Sequence, residues 1–298
     1  TVIDAPTWAF IEKTNASYPE NTATLSIAEQ RAIYDRMCAA FDSPYPPGVT
    51  SHDAPLAGVP CRVYPGAEPT VLYLHGGGFV VGGLHSHDGV CADIRGATGL
   101  TVVSADYRLS PEHKHPAAFD DACAVARALA AQGPLILVGD SAGANLAAAT
   151  AHALRNETRQ IKGQVLIYPG LGGDMNKGSS LTHAHAPMLT RDDLLFYRDI
   201  RHGHTPPDAD PTVSPLQDTD FTGLPPTLAI AAECDPLADD APAYAAKITE
   251  AGGRAHSVIE KGLVHGYLRG RHSVPRVTES FARITAAITA FAEDRWPF

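Results

Sequence analysis

The sequence predicts an α/β fold built on a mostly parallel β-sheet. Short apolar runs with the composition of buried strands lie at residues 71–74, 100–105, 135–138, 165–168, 227–232 and 256–259. Alanine-rich stretches of helical character separate several of them, at residues 117–131, 142–155 and 237–251. Strands that alternate with helices pair in parallel, because each helix carries the chain back to the edge of the sheet where the previous strand began.

Two segments fall outside this alternation, and we expect them to lie over the sheet. Residues 1–48 are helical in character, and Ser26 with Glu29 forms a capping box that begins one of their helices. Residues 172–224 are polar, contain one capped helix, and are too long for an ordinary loop, although a disordered surface loop is the alternative. We therefore predict one domain over residues 1–298, with cap elements from about residues 1–48 and 172–224.

Composition and charge exclude several classes of protein. Hydrophobic residues make up 44% of the 298 residues and charged residues 19%, which excludes an intrinsically disordered chain. The net charge of −10 argues against nucleic acid as a partner, because phosphate binding needs a basic face. No apolar stretch approaches the roughly 18 residues of a membrane-spanning helix, so we expect no membrane partner. Oligomeric state stays open, with a homodimer as one option.

The cysteine pattern predicts a reducing compartment. Five cysteines are scattered along the chain without a Cys-x-x-Cys pair, at positions 38, 61, 91, 123 and 234. An odd number without metal-binding spacing is typical of reduced, buried thiols. The first ten residues also lack the basic and apolar regions of a signal peptide. We therefore expect a cytoplasmic protein.

The strongest local motif is Gly-Asp-Ser-Ala-Gly at residues 139–143. It follows the apolar run at 135–138 and precedes an alanine-rich helix, so the order is strand, turn, helix. A sharp turn of this kind crowds the residues on either side of its centre, and glycine two positions before and after Ser141 relieves the crowding. The motif predicts that Ser141 is a nucleophile. A plain glycine turn is the alternative when the motif is taken alone.

A second motif decides between these readings. The predicted strand at 71–74 runs directly into His-Gly-Gly-Gly-Phe at residues 75–79. Consecutive glycines lower backbone stability, and they are expected where bare N–H groups must approach a ligand closely. The N–H groups of Gly77, Gly78 and Ala142 are the predicted oxyanion hole for an acyl-transfer intermediate. A phosphate-binding loop is excluded because the required lysine and acidic residues are absent.

An acid and a base follow Ser141 in the order that a serine hydrolase of an α/β fold requires. Asp235 comes just after the apolar run 227–232, and His265 comes just after the last predicted strand. Ligand sites in open α/β sheets form at these carboxyl ends of strands. Asp235 is preferred to Glu233 and to two aspartates downstream because it stands where the strand ends and the next helix begins.

These pieces together resemble the hormone-sensitive-lipase-like family of α/β-hydrolases, the bacterial carboxylesterases sometimes called family IV. The resemblance runs in family order from residue 75 to residue 266 and includes Asp-Tyr-Arg-Leu-Ser-Pro-Glu at 106–112, Leu-Pro-Pro at 224–226, Asp-Pro-Leu at 235–237 and His-Gly at 265–266. It implies an eight-stranded, mostly parallel sheet flanked by helices, with a helical cap. It also implies hydrolysis of short acyl esters through an acyl-enzyme.

The predicted mechanism uses only groups of the chain. His265 takes the proton of Ser141, and Asp235 orients the imidazole. We therefore expect no metal and no cofactor, and a small-molecule ester as the partner. An amidase or arylformamidase on the same scaffold is the first alternative. The second is a non-catalytic small-molecule receptor of the same fold, which would be expected to lack a member of the triad.

Four His-x-His pairs are the competing chemical signal. They lie at 85/87, 113/115, 183/185 and 202/204. On a strand, alternate residues share a face and could share a metal. These pairs fall instead in predicted loops or in the segment 172–224, so we do not expect them to bind a metal. We expect His75 to be a structural residue of the glycine loop, and Asp140 to be an exposed or capping neighbour of Ser141.

Overall fold

The computed structural model describes residues 2–203 and 209–298. Its strands are β1 (His52–Leu56), β2 (Val59–Tyr64), β3 (Ala67–Leu74), β4 (Leu100–Ala105), β5 (Leu135–Asp140), β6 (Ile161–Ile167), β7 (Thr227–Cys234) and β8 (Ala255–Val264). They form one eight-stranded sheet in the order β1-β2-β4-β3-β5-β6-β7-β8. The pairs β1–β2 and β2–β4 are antiparallel, and all the other neighbours are parallel. The predicted α/β fold with an eight-stranded, mostly parallel sheet is confirmed.

Helices cover both faces of this sheet. Those of the described residues are α1 (Ala5–Asn15), α2 (Ile27–Ala39), α3 (Asp88–Thr98), α4 (Ala117–Ala130), α5 (Ala142–Leu154), α6 (Ser179–Thr182), α7 (Arg191–His202), α8 (Asp240–Glu250) and α9 (Pro275–Ala292). One buried cluster joins the sheet to α4, α5 and α8, and a second joins it to α3 and α9. The central strand β5 is buried at every residue, as expected for a parallel strand covered on both faces.

Each predicted strand and helix overlaps one in the structure, but several boundaries differ: β3 begins at Ala67, β6 begins at Ile161 and β8 continues to Val264. The helix expected at 237–251 begins at Asp240, and Pro236 lies in the turn before it rather than in its first turn. The strands β1 and β2 and the helices α3 and α9 were not identified from the sequence. Because β1 and β2 form an antiparallel edge, they lack the continuous apolar run that marked the buried strands.

The two segments outside the alternation supply α1 and α2, and then α6 and α7. The predicted capping box of α2 is present: Ser26 Oγ accepts from the Glu29 N–H at 3.2 Å, and Glu29 Oε2 accepts from the Ser26 N–H at 2.8 Å. Within the segment 172–224, residues 204–208 lie outside the described residues. No helix in the described part of the chain is long and apolar enough to cross a membrane.

Candidate active site

Ser141 occupies the sharp turn between β5 and α5. Its backbone has φ 55° and ψ −117°, a conformation that strains a residue with a side chain by about 1–3 kcal/mol. The flanking glycines are required by space. A Cβ on Gly143 would lie 1.8 Å from the carbonyl oxygen of Leu74, and a Cβ on Gly139 would lie 2.4 Å from that of Gly143. The turn therefore holds the serine hydroxyl away from the sheet at the carboxyl end of β5.

The structure brings Ser141, His265 and Asp235 together. Ser141 Oγ lies 2.7 Å from His265 Nε2, and His265 Nδ1 lies 2.7 Å from Asp235 Oδ2. Asp235 is 1% exposed and His265 is 9% exposed. The other oxygen of Asp235 accepts from the Leu237 N–H at 2.9 Å, which fixes the carboxylate against the turn after β7. The three side chains are thus connected by hydrogen bonds in the order that proton transfer from serine requires.

The neighbouring carboxylates have other partners. Glu233 accepts from the Gly262 N–H at 2.7 Å and from Lys261 Nζ at 3.1 Å. Asp239 accepts from the Ser179 N–H at 2.8 Å and Asp240 from the Leu171 N–H at 2.7 Å. Both aspartates lie at the start of α8, and both also accept hydrogen bonds from backbone N–H groups that are distant in sequence. They hold the segment after β6, which comes back to them only in the tertiary structure.

The glycine loop at 75–79 is held in a tight conformation beside Ser141. Gly77 has φ 138° and Gly78 has φ 61°, a region that glycine adopts readily. A Cβ on Gly77 would lie 2.1 Å from the Val81 carbonyl oxygen, and one on Gly78 would lie 2.6 Å from the ring of Tyr197. The loop therefore lies against α7, with no space for side chains at these two positions.

Asp140, the last residue of β5, binds the glycine loop through hydrogen bonds. It is 4% exposed and accepts from the Tyr73 hydroxyl at 2.6 Å, the Gly76 N–H at 3.0 Å and His87 Nε2 at 3.2 Å. Burial opposes ionisation, but the facing His87 and the hydrogen bonds outweigh it and hold the pKa of Asp140 well below its usual range. The expectation of an exposed or capping neighbour was wrong, because the carboxylate points inward and ties β5 to the glycine loop.

His75 is a structural residue of the loop, as expected. It is fully buried, and its ring stacks on Tyr107 with centroids 4.3 Å apart. Burial lowers the pKa of His75 to about 3, so the imidazole is neutral. Its Nδ1–H donates to the Gly76 carbonyl at 2.7 Å. The ring thus fixes the start of the glycine loop.

A cavity of about 1010 Å³ opens above Ser141. Its wall includes Ser141, His265, Gly77 and Gly78 from the sheet side, and Tyr18, Tyr34, Phe196 and Tyr197 from α2, α7 and the chain that follows α1. From the sequence, apolar residues of the two segments outside the alternation are candidates for this lining, and of these Met188 and Leu189 do line the cavity. Trp8 and Phe10 do not line it: Trp8 is 40% exposed on the surface, and Phe10 packs in the core against Phe41.

The His-x-His pairs do not converge on common sites. His85 is exposed and lies 2.7 Å from Asp35, whereas His87 is buried and faces Asp140. His115 contacts Thr212 through Nε2 at 3.1 Å. His204 lies outside the described residues, so its pairing with His202 is not described. Among residues 2–203 and 209–298 no three His, Cys, Asp or Glu side chains are grouped so as to hold a metal ion.

Comparison with known proteins agrees with the class that the fold and this site define, an α/β-hydrolase. A protein-family model for the alpha/beta hydrolase fold matches residues 71–269. The carboxylesterase NlhH of Mycobacterium tuberculosis is 37% identical over 255 residues, which are 78% of each chain. The ethyl acetate hydrolase of Pseudomonas putida is 32% identical over 248 residues, covering 77% of this chain and 78% of that one.

Solved structures agree with the sequence comparison. A hyperthermophilic esterase from the archaeon Pyrobaculum calidifontis superposes with a TM-score of 0.88 at 32% identity, over 98% of this chain and 99% of that one. The chain belongs to the α/β-hydrolase family, in the hormone-sensitive-lipase-like branch that the motifs indicated. It is a carboxylic ester hydrolase, as predicted.

Proposed function

We propose that this enzyme is a serine carboxylesterase that hydrolyses short acyl esters through an acyl-enzyme, with Ser141, His265 and Asp235 as its catalytic triad. The observation that supports this best is the pair of 2.7 Å contacts that link Ser141 Oγ to His265 and His265 to Asp235 at the floor of the cavity. Every group that the reaction needs belongs to the chain, so the mechanism uses no cofactor and no metal.

In the first half of the reaction, Ser141 Oγ attacks the ester carbonyl carbon while its proton passes to His265 Nε2. The carbonyl oxygen becomes an oxyanion, which the N–H groups of Gly77, Gly78 and Ala142 stabilise. The bond to the alcohol oxygen then breaks, and His265 gives its proton to the leaving alcohol. Asp235 accepts from His265 Nδ1–H throughout and stabilises the imidazolium.

In the second half, water repeats the sequence. His265 takes one proton from water as its oxygen attacks the acyl carbon, and the bond to Ser141 Oγ then breaks. Ser141 recovers its proton from His265, and the carboxylic acid leaves. The site returns to its starting protonation state, so one ester and one water give one acid and one alcohol.

A preference for short acyl chains is the expected consequence of the proposed cap. Within one domain over residues 1–298, we propose that residues 1–48 and 172–224 form this cap; their described parts supply Tyr18, Tyr34 and Tyr197 to the cavity wall. A covered cavity limits the length of acyl chain that it accepts and excludes water. The relative from Pseudomonas putida, an ethyl acetate hydrolase, is consistent with a small acyl group.

The experiment is a series of p-nitrophenyl esters from acetate to palmitate, with the anilide of the preferred acid as the matched amide. We expect kcat/KM to peak at acetate or butyrate and to fall by about 100-fold or more at palmitate, since each methylene excluded from the cavity forfeits about 0.8 kcal/mol. Equal rates for butyrate and palmitate would exclude a covered cavity. A faster anilide would favour the amidase, and no turnover of either would favour a receptor.

We also propose that the protein is cytoplasmic. All five cysteines are buried and unpaired, as in a chain that stays reduced. Fractionation of cells that produce the protein tests this: recovery in the periplasmic or extracellular fraction would overturn it.

A further inference from the structure

Arg269 places a guanidinium in the cavity wall that has no hydrogen-bonded partner among the described residues. It lies in the short 3-10 turn Tyr267–Gly270 after β8. Its Nε is shielded from solvent and has no hydrogen-bond partner. Within residues 2–203 and 209–298, no hydrogen bond or ion pair engages this side chain. A guanidinium has five N–H donors and a permanent charge, so a shielded N–H without an acceptor is unfavourable.

The titratable groups that act most strongly on Arg269 carry no negative charge. The ring of Tyr34 lies 5.9 Å from Arg269 Cζ. The titratable groups that act most strongly on the arginine are Tyr34, Cys38, Tyr168 and Tyr18. Burial raises the pKa of each of these four groups, so all are neutral at physiological pH. None of them is a carboxylate, so none of these four groups forms an ion pair with the guanidinium.

Each of the other two arginines of the cavity wall has a polar partner among the described residues, although Arg198 Nε forms no hydrogen bond there. Arg201 donates to the Val213 carbonyl and to Asn145 Oδ1, both at 3.3 Å, and Arg198 pairs with Asp199 at 3.6 Å. Arg201 therefore ties α7 to α5 and to the segment around Val213, whereas the partner of Arg198 lies in α7 itself. Arg269 has no such structural task among the described residues, which leaves its donors for a ligand in the cavity.

The position of Arg269 indicates which part of a substrate it would meet. A Cβ on Gly266 would lie 3.4 Å from Arg269 Nη2, and Gly266 directly follows His265. The guanidinium is therefore on the His265 side of the site. Because His265 protonates the leaving alcohol, that alcohol lies on the same side.

We propose that Arg269 binds a carboxylate on the alcohol portion of the substrate. The preferred substrates are then short acyl esters of hydroxycarboxylic acids. This inference rests on the proposed esterase function and adds the substrate class. A guanidinium and a carboxylate can form two parallel hydrogen bonds, which fixes the orientation of the alcohol as well as binding it. Charge-assisted hydrogen bonds of this kind correspond to about 10- to 100-fold in kcat/KM.

Matched ester pairs test the proposal. γ-Acetoxybutyrate carries its carboxylate on the alcohol, and γ-acetoxybutyramide is its neutral partner of nearly the same shape. Monoethyl succinate and ethyl succinamate place the same contrast on the acyl group instead. Acid release, followed by titration, gives kcat/KM for all four. We expect a preference of about tenfold or more for the carboxylate in the first pair and a clearly smaller one in the second.

Variants then assign the preference to Arg269. Arg269→Met should reduce the γ-acetoxybutyrate to γ-acetoxybutyramide ratio to about one, and Arg269→Lys should keep part of it, since a single charge remains. The matched control is Arg198→Met, which removes the same charge from the same cavity and should keep the wild-type ratio. Inhibition by the product γ-hydroxybutyrate should weaken in parallel in Arg269→Met. Thermal denaturation checks that the variants are folded.

The outcomes separate this inference from the esterase proposal. If wild-type enzyme hydrolyses p-nitrophenyl acetate but prefers neither carboxylate, the inference about Arg269 is wrong and the esterase stands. A larger preference in the succinate pair would place the carboxylate on the acyl side and overturn the assignment to the alcohol. Equal losses in Arg269→Met and Arg198→Met would indicate a general effect of charge rather than a site. No turnover of any ester would remove the esterase proposal itself.

Discussion

Arg31, in α2, donates a hydrogen bond from Nε to the carbonyl oxygen of Val80 at 2.7 Å. The same guanidinium donates to the Ser110 carbonyl at 3.0 Å and to Glu112 Oε1 at 2.9 Å. Val80 directly follows the glycine loop, and its N–H donates to the Gly77 carbonyl at 3.0 Å. One arginine thus ties a proposed cap element to the segment that carries the proposed oxyanion hole.

Replacing this arginine should slow catalysis. In Arg31→Gln the Val80 and Ser110 carbonyls lose their shared donor, and the glycine loop can shift. A small misplacement of the oxyanion donors lowers kcat, and we expect a loss of about tenfold or more with p-nitrophenyl acetate. Arg127→Gln is the matched control, because Arg127 also forms a two-bond pair with a glutamate, Glu157, but on the exposed surface. Equal kcat in both variants would show that the contact is only structural.

Ser141 should be the site of covalent modification. A fluorophosphonate reagent is expected to add one group per chain, and peptide mass spectrometry should place it on Ser141. Ser141→Ala should lose about 10⁶-fold in kcat, since the nucleophile acts as a unit with its base. Ser180→Ala is the control: Ser180 also lines the cavity, but its hydroxyl donates to the Pro236 carbonyl at 3.1 Å. Near wild-type turnover by Ser141→Ala would remove the proposed mechanism.

The triad acid should be Asp235. Asp235→Asn is expected to lower kcat by about 10³- to 10⁴-fold, because the amide favours the wrong tautomer of His265. The control Glu233→Gln alters a carboxylate two residues away that bonds to Gly262 and Lys261, and its kcat should stay within a few-fold of the wild type. Circular dichroism establishes that both variants fold. A nearly normal kcat for Asp235→Asn would assign the acid elsewhere.

A methyl group on Gly78 should disable the proposed oxyanion hole. The new Cβ would lie 2.6 Å from the Tyr197 ring, so the loop or the ring must move. Loss of one oxyanion donor lowers kcat by about 10²- to 10³-fold, and we expect Gly78→Ala to fall in this range. Gly48→Ala is the control, since Gly48 also has a positive φ, of 79°, but its Cβ would meet nothing within 4 Å. If both variants lose stability equally and keep kcat, the Gly78 N–H does not stabilise the oxyanion.

Asp240 should make the enzyme less stable as pH rises. Burial raises the pKa of this carboxyl from 3.8 to about 6. The folded state then binds a proton between about pH 4 and 6 that the unfolded state has lost, so the free energy of unfolding falls across this range, by about 3 kcal/mol. Asp240→Asn removes this pH-dependent contribution to the free energy of unfolding and keeps an oxygen for the Leu171 N–H. Its unfolding free energy relative to wild type should therefore rise between pH 4 and pH 7.

Glu112 should contribute to the free energy of unfolding with the opposite dependence on pH, and Glu112→Gln tests this by the same measurement. Arg31 lowers the pKa of Glu112 to about 2, so the stability that this glutamate contributes is present above its unfolded pKa and is lost as pH falls. Urea unfolding of wild type and both variants at several pH values gives the differences. A constant offset between wild type and Asp240→Asn from pH 4 to pH 7 would show that Asp240 does not titrate in this window.

Local patterns determined the central sheet and the residues of the proposed site. Buried parallel strands have continuous apolar runs, so β3 to β8 were visible in the sequence. Ser141, Gly77 and Gly78 were visible because strained turns and bare loops demand glycine at fixed spacing. The helix α9 also carries a helical signal, with Val277, Phe281 and Ile284 on one face, and sequence analysis overlooked it. The antiparallel strands β1 and β2 were missed for a physical reason, since both are partly exposed and lack continuous apolar runs.

Tertiary structure alone decided the contacts between residues distant in sequence. Three sets of hydrogen bonds join residues that are 49 to 69 positions apart in the sequence. They link Asp140 to Tyr73 and His87, Arg31 to Val80, and Asp240 to Leu171. A polar residue shows no local sign of its partner, because whether it is exposed or buried depends on how elements pack. For the same reason only the folded chain shows that Arg269 lines the cavity and that its Nε has no hydrogen-bond partner among the described residues.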